Sequence, residues 1–300
     1  MPLITTTSAA SARGLGWGRQ QGTRTEPISG YELWLDSSDA TKFTYSSGSV
    51  ISRWTDKSTN AYTFEPATTS NAPTRTGTQN SKSTVVFDGS NDFLSSTAAA
   101  STWKFLSDGT QSTVIVAYKN TKVPTGTGDD NAVIVDTTGY EFNSISAGYQ
   151  GYTLYSKEWL YSGTYYENAD VRVNSGVVAS GQTYPAWLSN DTTLSSAHIN
   201  AWNVNINLLD VNNATLNTKI QSYNSKATNP NSPGSVYNGN AWSSANTAAP
   251  ASTLRIGWER SGAYYPPFKG EIAEIIMYKR KLSVSEKNEM AAYLQSKWNI

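Results

Sequence analysis

The chain has 300 residues, no cysteine, and 23 basic side chains against 23 acidic ones. Disulfide frameworks, thiolate metal sites and cysteine nucleophiles are therefore excluded, and no net basic field points to nucleic acid. Only 15% of residues are charged and 38% are hydrophobic, with 10 Trp and 18 Tyr, which suits a sheet protein with polar faces and not a disordered chain or one with a membrane-spanning stretch.

Residues 1–29 carry no sustained strand or helix period and are expected to form an N-terminal arm, distinct from a single domain over 30–300. Met1-Pro2-Leu3-Ile4 runs directly into threonines, without the basic start and apolar stretch of a secretory signal. Within the arm, Trp17 offers an apolar anchor, and Arg13, Arg19 and Arg24 offer cations for acidic or carbonyl groups on a partner chain. Ordering a Gly-rich segment costs about 1–2 kcal/mol per residue, and a partner surface would offset that more readily than the arm's own contacts.

From Tyr31 onward, β-branched and aromatic runs separated by turn residues predict strands. They fall at 31–35, 49–54, 84–87, 112–118, 132–135, 171–173, 202–209, 253–257 and 271–278. In the seventh, Trp202, Val204, Ile206 and Leu208 alternate with Asn203, Asn205 and Asn207, which predicts one buried face and one exposed face. Polar stretches at 59–83, 120–130 and 224–250 read as long surface loops. After the last strand, Ser283 and Glu286 form a capping box, and Glu286, Met290, Leu294 and Trp298 follow at four-residue spacing. That pattern predicts a closing helix with an apolar stripe, with Tyr293 beside it.

Four segments resemble, in order, the laminin-G-like and concanavalin A-like jelly-roll domains of bacterial and phage surface proteins. They are Tyr31-Glu32-Leu33-Trp34-Leu35-Asp36; Trp54-Thr55-Asp56-Lys57-Ser58; Phe87-Asp88-Gly89; and the ending from Gly270 through Tyr278, Leu282-Ser283 and Lys297-Trp298. The resemblance covers roughly 30–120 and 252–300. It implies an all-β jelly-roll sandwich with one C-terminal helix behind an extended N-terminal arm. The Ser11-Ala12-Arg13-Gly14 stretch separately resembles the start of virion structural proteins of tailed phages. Together these imply a non-enzymatic virion component, in capsid decoration, tail or fibre, displayed on the particle surface. Its partners would be other virion proteins, further copies of itself and a host-surface glycan. A free carbohydrate-binding lectin module is the alternative, and a glycan-cleaving enzyme the third reading.

The residues argue against catalysis. Glycosidic cleavage needs two carboxylates about 5–9 Å apart, and Glu271 and Glu274, three apart on a strand, should point to opposite faces. His198, the only histidine, lacks a nucleophile elbow. No cofactor is expected. Calcium is the one ion the oxygen clusters would suit, at Asp88 and Asp92 or at Asp129 and Asp130, and each set would need distant contributors to reach six to eight oxygens. Flat aromatic side chains stack on sugar C–H faces, so Trp159, Tyr161, Tyr165, Tyr166, Tyr264 and Tyr265 are the candidates for a glycan site or a protein interface.

Overall fold

The computed structural model describes residues 24–122, 130–138, 150–161, 164–178, 185–193, 200–227, 230, 232–233, 235–239, 244–258 and 266–300. Among them the chain forms β1 (Leu33–Asp36), β2 (Phe43–Ser47), β3 (Val50–Thr55), β4 (Thr63–Glu65), β5 (Thr74–Gln79), β6 (Lys82–Asp88), β7 (Leu94–Ser96), β8 (Ser112–Asn120) and β9 (Asp130–Asp136). The strands β10 (Gln150–Tyr161), β11 (Thr164–Val178), β12 (Pro185–Thr193), β13 (Trp202–Leu209), β14 (Ile220–Asn224), β15 (Ser235–Gly239), β16 (Arg255–Ile256) and β17 (Lys269–Tyr278) complete the set. The closing helix spans Val284–Trp298.

Among the described residues the named strands pair antiparallel, and they join into one sheet that curls on itself. From one end it runs β15, β12, β11, β10, β9, β16, β7, β4, β3, then through β5 and β6 to β17, β8, β13 and β14, with β1 beside the second half of β17. The sheet comes back on itself: the Asn190 side-chain amide on β12, one strand in from the β15 end, donates to the Ile220 carbonyl on β14 at the other end at 3.0 Å. Curling gives the sheet an enclosed core and a covered outer face. Val114, Val116 and Tyr118 of β8 join Leu33, Leu35, Trp54, Phe64, Trp103 and Leu154 inside. Ile115 and Ala117 point the other way, into a second cluster with Trp34, Met290, Leu294 and Trp298 beneath the helix. Period-two alternation thus feeds two separate cores from the same strands.

The helix begins as its capping box implies: the Glu286 N–H donates to Ser283 Oγ at 3.2 Å and the Ser283 N–H to Glu286 Oε2 at 2.8 Å. It ends at Asn299, whose φ of 53° is the left-handed turn common at helix C-termini.

Three expectations are corrected. The stretch 59–83 contains β4 and β5, and 224–250 contains β15, so neither is a plain loop. β5 reads Thr-Arg-Thr-Gly-Thr-Gln and has no apolar alternation to betray it; its pairing with β6 holds it in place. Asn203, Asn205 and Asn207 are fully buried, not exposed, because the curled sheet covers the inner face of β13 as well. Asn207 donates to the Tyr152 hydroxyl at 3.0 Å and Asn205 to Ser222 Oγ at 3.3 Å, which makes this part of the interior polar.

Candidate functional site

Two features stand apart from the apolar cores. The first is the hairpin of β10 and β11, in which the whole of β10 pairs with residues 164–175 of β11. Among the described residues β9 pairs with β10 up to Glu158, opposite Asp130, and β12 with β11 from Asn168, opposite Thr193. Residues 159–161 and 164–167 pair with each other as the ribbon that ends the hairpin, and the segments 123–129 and 194–199, next along from β9 and β12, lie outside the described residues. Its register sets Trp159 opposite Tyr166, Leu160 opposite Tyr165 and Tyr161 opposite Thr164. Four of the six aromatic candidates are thus gathered on one structural element. The side chains of these four, and Tyr264 and Tyr265 entirely, lie outside the described residues.

Further down the same strand the aromatic run changes role. Tyr152 is fully buried and accepts from Asn207, and Tyr155 is buried with the Arg172 guanidinium 5.3 Å from its ring centre. The aromatic density of the sequence is therefore partly core and partly ribbon.

The second feature is a cluster of charges under the closing helix. Glu274 is fully buried, and each of its oxygens takes two donors. Oε1 accepts from Trp34 Nε1 at 2.6 Å and from the Tyr293 hydroxyl at 2.7 Å. Oε2 accepts from Trp298 Nε1 at 2.8 Å and from Lys297 Nζ at 3.0 Å. Lys297 Nζ also lies 2.9 Å from Asp36 Oδ2, and Lys57 Nζ bridges Asp36 at 3.1 Å and Asp39 at 3.3 Å. Burial pushes the Glu274 carboxyl up, against the pull of Lys297. Asp36 is also pushed up by burial, but Lys297 and the Ser38 hydroxyl more than offset this and hold it below the usual carboxylate range.

A β-bulge creates this cluster. The pairing of β17 with β8 slips between Ile272 and Glu274, so Ala273 and Glu274 both face the helix while Ile272 and Ile275 face the enclosed core. Simple alternation set Glu271 and Glu274 on opposite faces, and this is corrected: the extra residue brings both to the helix side. Each carboxylate is engaged separately, Glu271 by Lys119 and Thr84, and Glu274 by Lys297. Sequence reasoning missed the cluster. The available signal was an acidic residue inside an apolar strand, together with a lysine next to the last tryptophan of an apolar helix stripe.

The remaining candidates are placed as follows. Asp88 Oδ1 accepts from the N–H groups of Ser90 at 2.7 Å and Asn91 at 3.3 Å, and Asp92 Oδ2 accepts from the Asp88 N–H at 2.9 Å. Both carboxylates thus brace their own turn. Asp129 and His198 lie outside the described residues, and Asp130 is described only as a backbone partner of Glu158. Among the described residues no group of three His, Cys, Asp or Glu side chains is arranged to hold a metal. Arg13, Trp17 and Arg19 lie outside the described residues. Arg24 meets its own chain: it donates to the carbonyls of Glu26 at 3.1 Å and Pro27 at 3.3 Å and lies 3.8 Å from Glu289 of the closing helix. Ile28 packs into the helix-side cluster and its carbonyl accepts from the Tyr278 hydroxyl at 2.9 Å. Residues 24–29 therefore belong to the domain and not to a free arm.

No protein-family model matches the chain, and no curated protein matches it. Among solved structures it is similar to the sialidase of Trypanosoma rangeli in complex with 2,3-difluorosialic acid, at TM-score 0.50 and 12% identity over 90% of this chain and 34% of that one. The CBM40 of Ruminococcus gnavus IT-sialidase, bound to α2,3-sialyllactose, aligns at TM-score 0.38 and 15% identity over 62% of this chain and 84% of that one. The chain spans about a third of the length of the Trypanosoma rangeli enzyme, and the likeness to that enzyme is one of fold alone.

Proposed function

We propose that the chain is a non-catalytic carbohydrate-binding module of the concanavalin A-like jelly-roll type, which takes glycan on the β10–β11 hairpin. The observation that carries this reading is the hairpin register, which gathers Trp159, Tyr161, Tyr165 and Tyr166 at one end of a single element, with Trp159 opposite Tyr166 and Leu160 opposite Tyr165. Flat aromatic rings stack on sugar C–H faces, so such a concentration on one hairpin suits a glycan. The engagement of Glu271 and Glu274 by separate lysines supports the absence of a glycosidic acid–base pair.

The test is binding to a panel of neutral and sialylated oligosaccharides, followed by Trp159→Ala and Tyr166→Ala. The expected result is retention of at least one glycan and a loss of affinity of tenfold or more, about 1.4 kcal/mol, in either variant with an unchanged melting curve. No retention of any glycan, or full retention by both variants, refutes the assignment.

A virion structural component that displays this module is the second reading. What favours it is that Arg24 and Ile28 are pinned against the closing helix, so residues 1–23 continue from a fixed point on the domain. Deletion of residues 2–23 should abolish incorporation into particles while leaving domain stability unchanged.

A further inference from the structure

Glu274 and Asp36 are direct cross-strand partners on β17 and β1, and Lys297 Nζ stands between their carboxyl groups at 3.0 and 2.9 Å. Like charges directly opposite on a sheet repel, and here they are removed from water as well. Two lysines, Lys57 and Lys297, face three acids, Asp36, Asp39 and Glu274, so the cluster holds one acid in surplus, and burial pushes the Glu274 carboxyl up. A neutral carboxyl, an amine in contact with it and a carboxylate on the same amine form the reacting set of an acyl transfer.

We propose that Lys297 and Glu274 join spontaneously into an isopeptide bond, with Asp36 as the base, tying the closing helix covalently to β17. Asp36 takes one proton from the Lys297 ammonium. The freed Nζ adds to Cδ of the neutral Glu274 carboxyl, and the oxygen that gains charge is held by Trp34 Nε1 and the Tyr293 hydroxyl, which already aim at Oε1. The second oxygen, the one beside Lys297 and Trp298 Nε1, departs as water with its own proton and one from the nitrogen. The Nζ–Cδ amide bond forms, a C–O bond breaks, Asp36 keeps its proton, and net charge is unchanged. No oxidant, metal or co-reactant is required. Fixed contact between Nζ and the carboxyl supplies the effective concentration that free lysine and glutamate lack, on the order of 10⁵ M or more.

The test is the intact mass of the purified full chain, measured after denaturation. The expected mass is one water below that of the sequence. Trypsin should release residues 270–279 joined to residues 288–300, with fragmentation placing the branch at Glu274 and Lys297. Lys297→Arg should restore the full mass. A wild-type chain at full sequence mass overturns the proposal even if the variant fails to fold, and a branch at Asp36 or Glu271 overturns the assignment of Glu274 as the acyl group.

Discussion

Trp298 closes the helix-side core, and its removal tests how much of the fold rests on that closure. The indole is fully buried, and its Nε1 is one of the four donors on Glu274. Truncation to alanine empties a fully buried indole's volume under the helix, at a cost of about 3–5 kcal/mol. It also removes a hydrogen bond to a buried acid, worth about 1–3 kcal/mol when the acceptor stays dry. Trp298→Phe separates the two effects, since it keeps most of the ring and loses the donor; it should cost about 1–3 kcal/mol and Trp298→Ala clearly more. Urea denaturation followed by tryptophan fluorescence reads both, provided the slope stays that of the wild type. An alanine variant within about 1 kcal/mol of wild type would mean that the helix is not a structural lid. A phenylalanine variant as unstable as the alanine variant would mean that the hydrogen bond to Glu274 dominates, and the packing argument would fail.

Gly270 lies where a Cβ would strike the Lys119 carbonyl oxygen and the Phe268 ring, so Gly270→Ala should lower stability by about 1–3 kcal/mol and shift the denaturation midpoint accordingly. Burial pushes the Asp92 carboxyl up to about 6, against the hydrogen bond from the Asp88 N–H and with the aid of the Asp88 charge. The unfolded chain releases that proton near pH 3.9, so between roughly pH 4 and 6 the native state binds more protons and stability falls as pH rises. The contribution is fully present below about pH 4 and lost through pH 6; Asp92→Asn should flatten this part of the stability–pH curve, and an unchanged slope refutes the assignment.

The sequence was most legible where local chemistry alone decides the structure. The capping box at Ser283 and Glu286 and the Met290, Leu294, Trp298 stripe produce the closing helix whatever it packs on, and the strands at 112–118, 202–209 and 271–278 follow from period-two runs of apolar residues. Long-range geometry was not legible. Asn203, Asn205 and Asn207 show that β13 has a polar face, but alternation cannot say whether that face meets water or the inside of a curled sheet. β4 and β5 are short and rich in threonine, and only their partners hold them as strands. The aromatic run was visible as composition, whereas its gathering on one hairpin, with Trp159 opposite Tyr166, depends on the register of β10 against β11.

The bulge at Ala273 shows how one unread residue changes the chemistry of a whole face. Strict alternation from Ile272 would send Glu274 into the enclosed apolar core among Val116, Leu154 and Phe268, where the described residues offer it no cation. It would also send Ile275 toward the helix and reverse every later residue of β17, since a one-residue slip exchanges the two faces of a strand. With the extra residue, Ile275 and Met277 stay in the enclosed core, Ile276 and Tyr278 stay under the helix, and the acid meets Lys297. The placement of Glu274 and that of the apolar residues beyond it are thus one event. An acid at position 274 is compatible with this strand only because the bulge turns it toward Trp34, Tyr293, Lys297 and Trp298, and those four donors converge only because the closing helix lies across the same face.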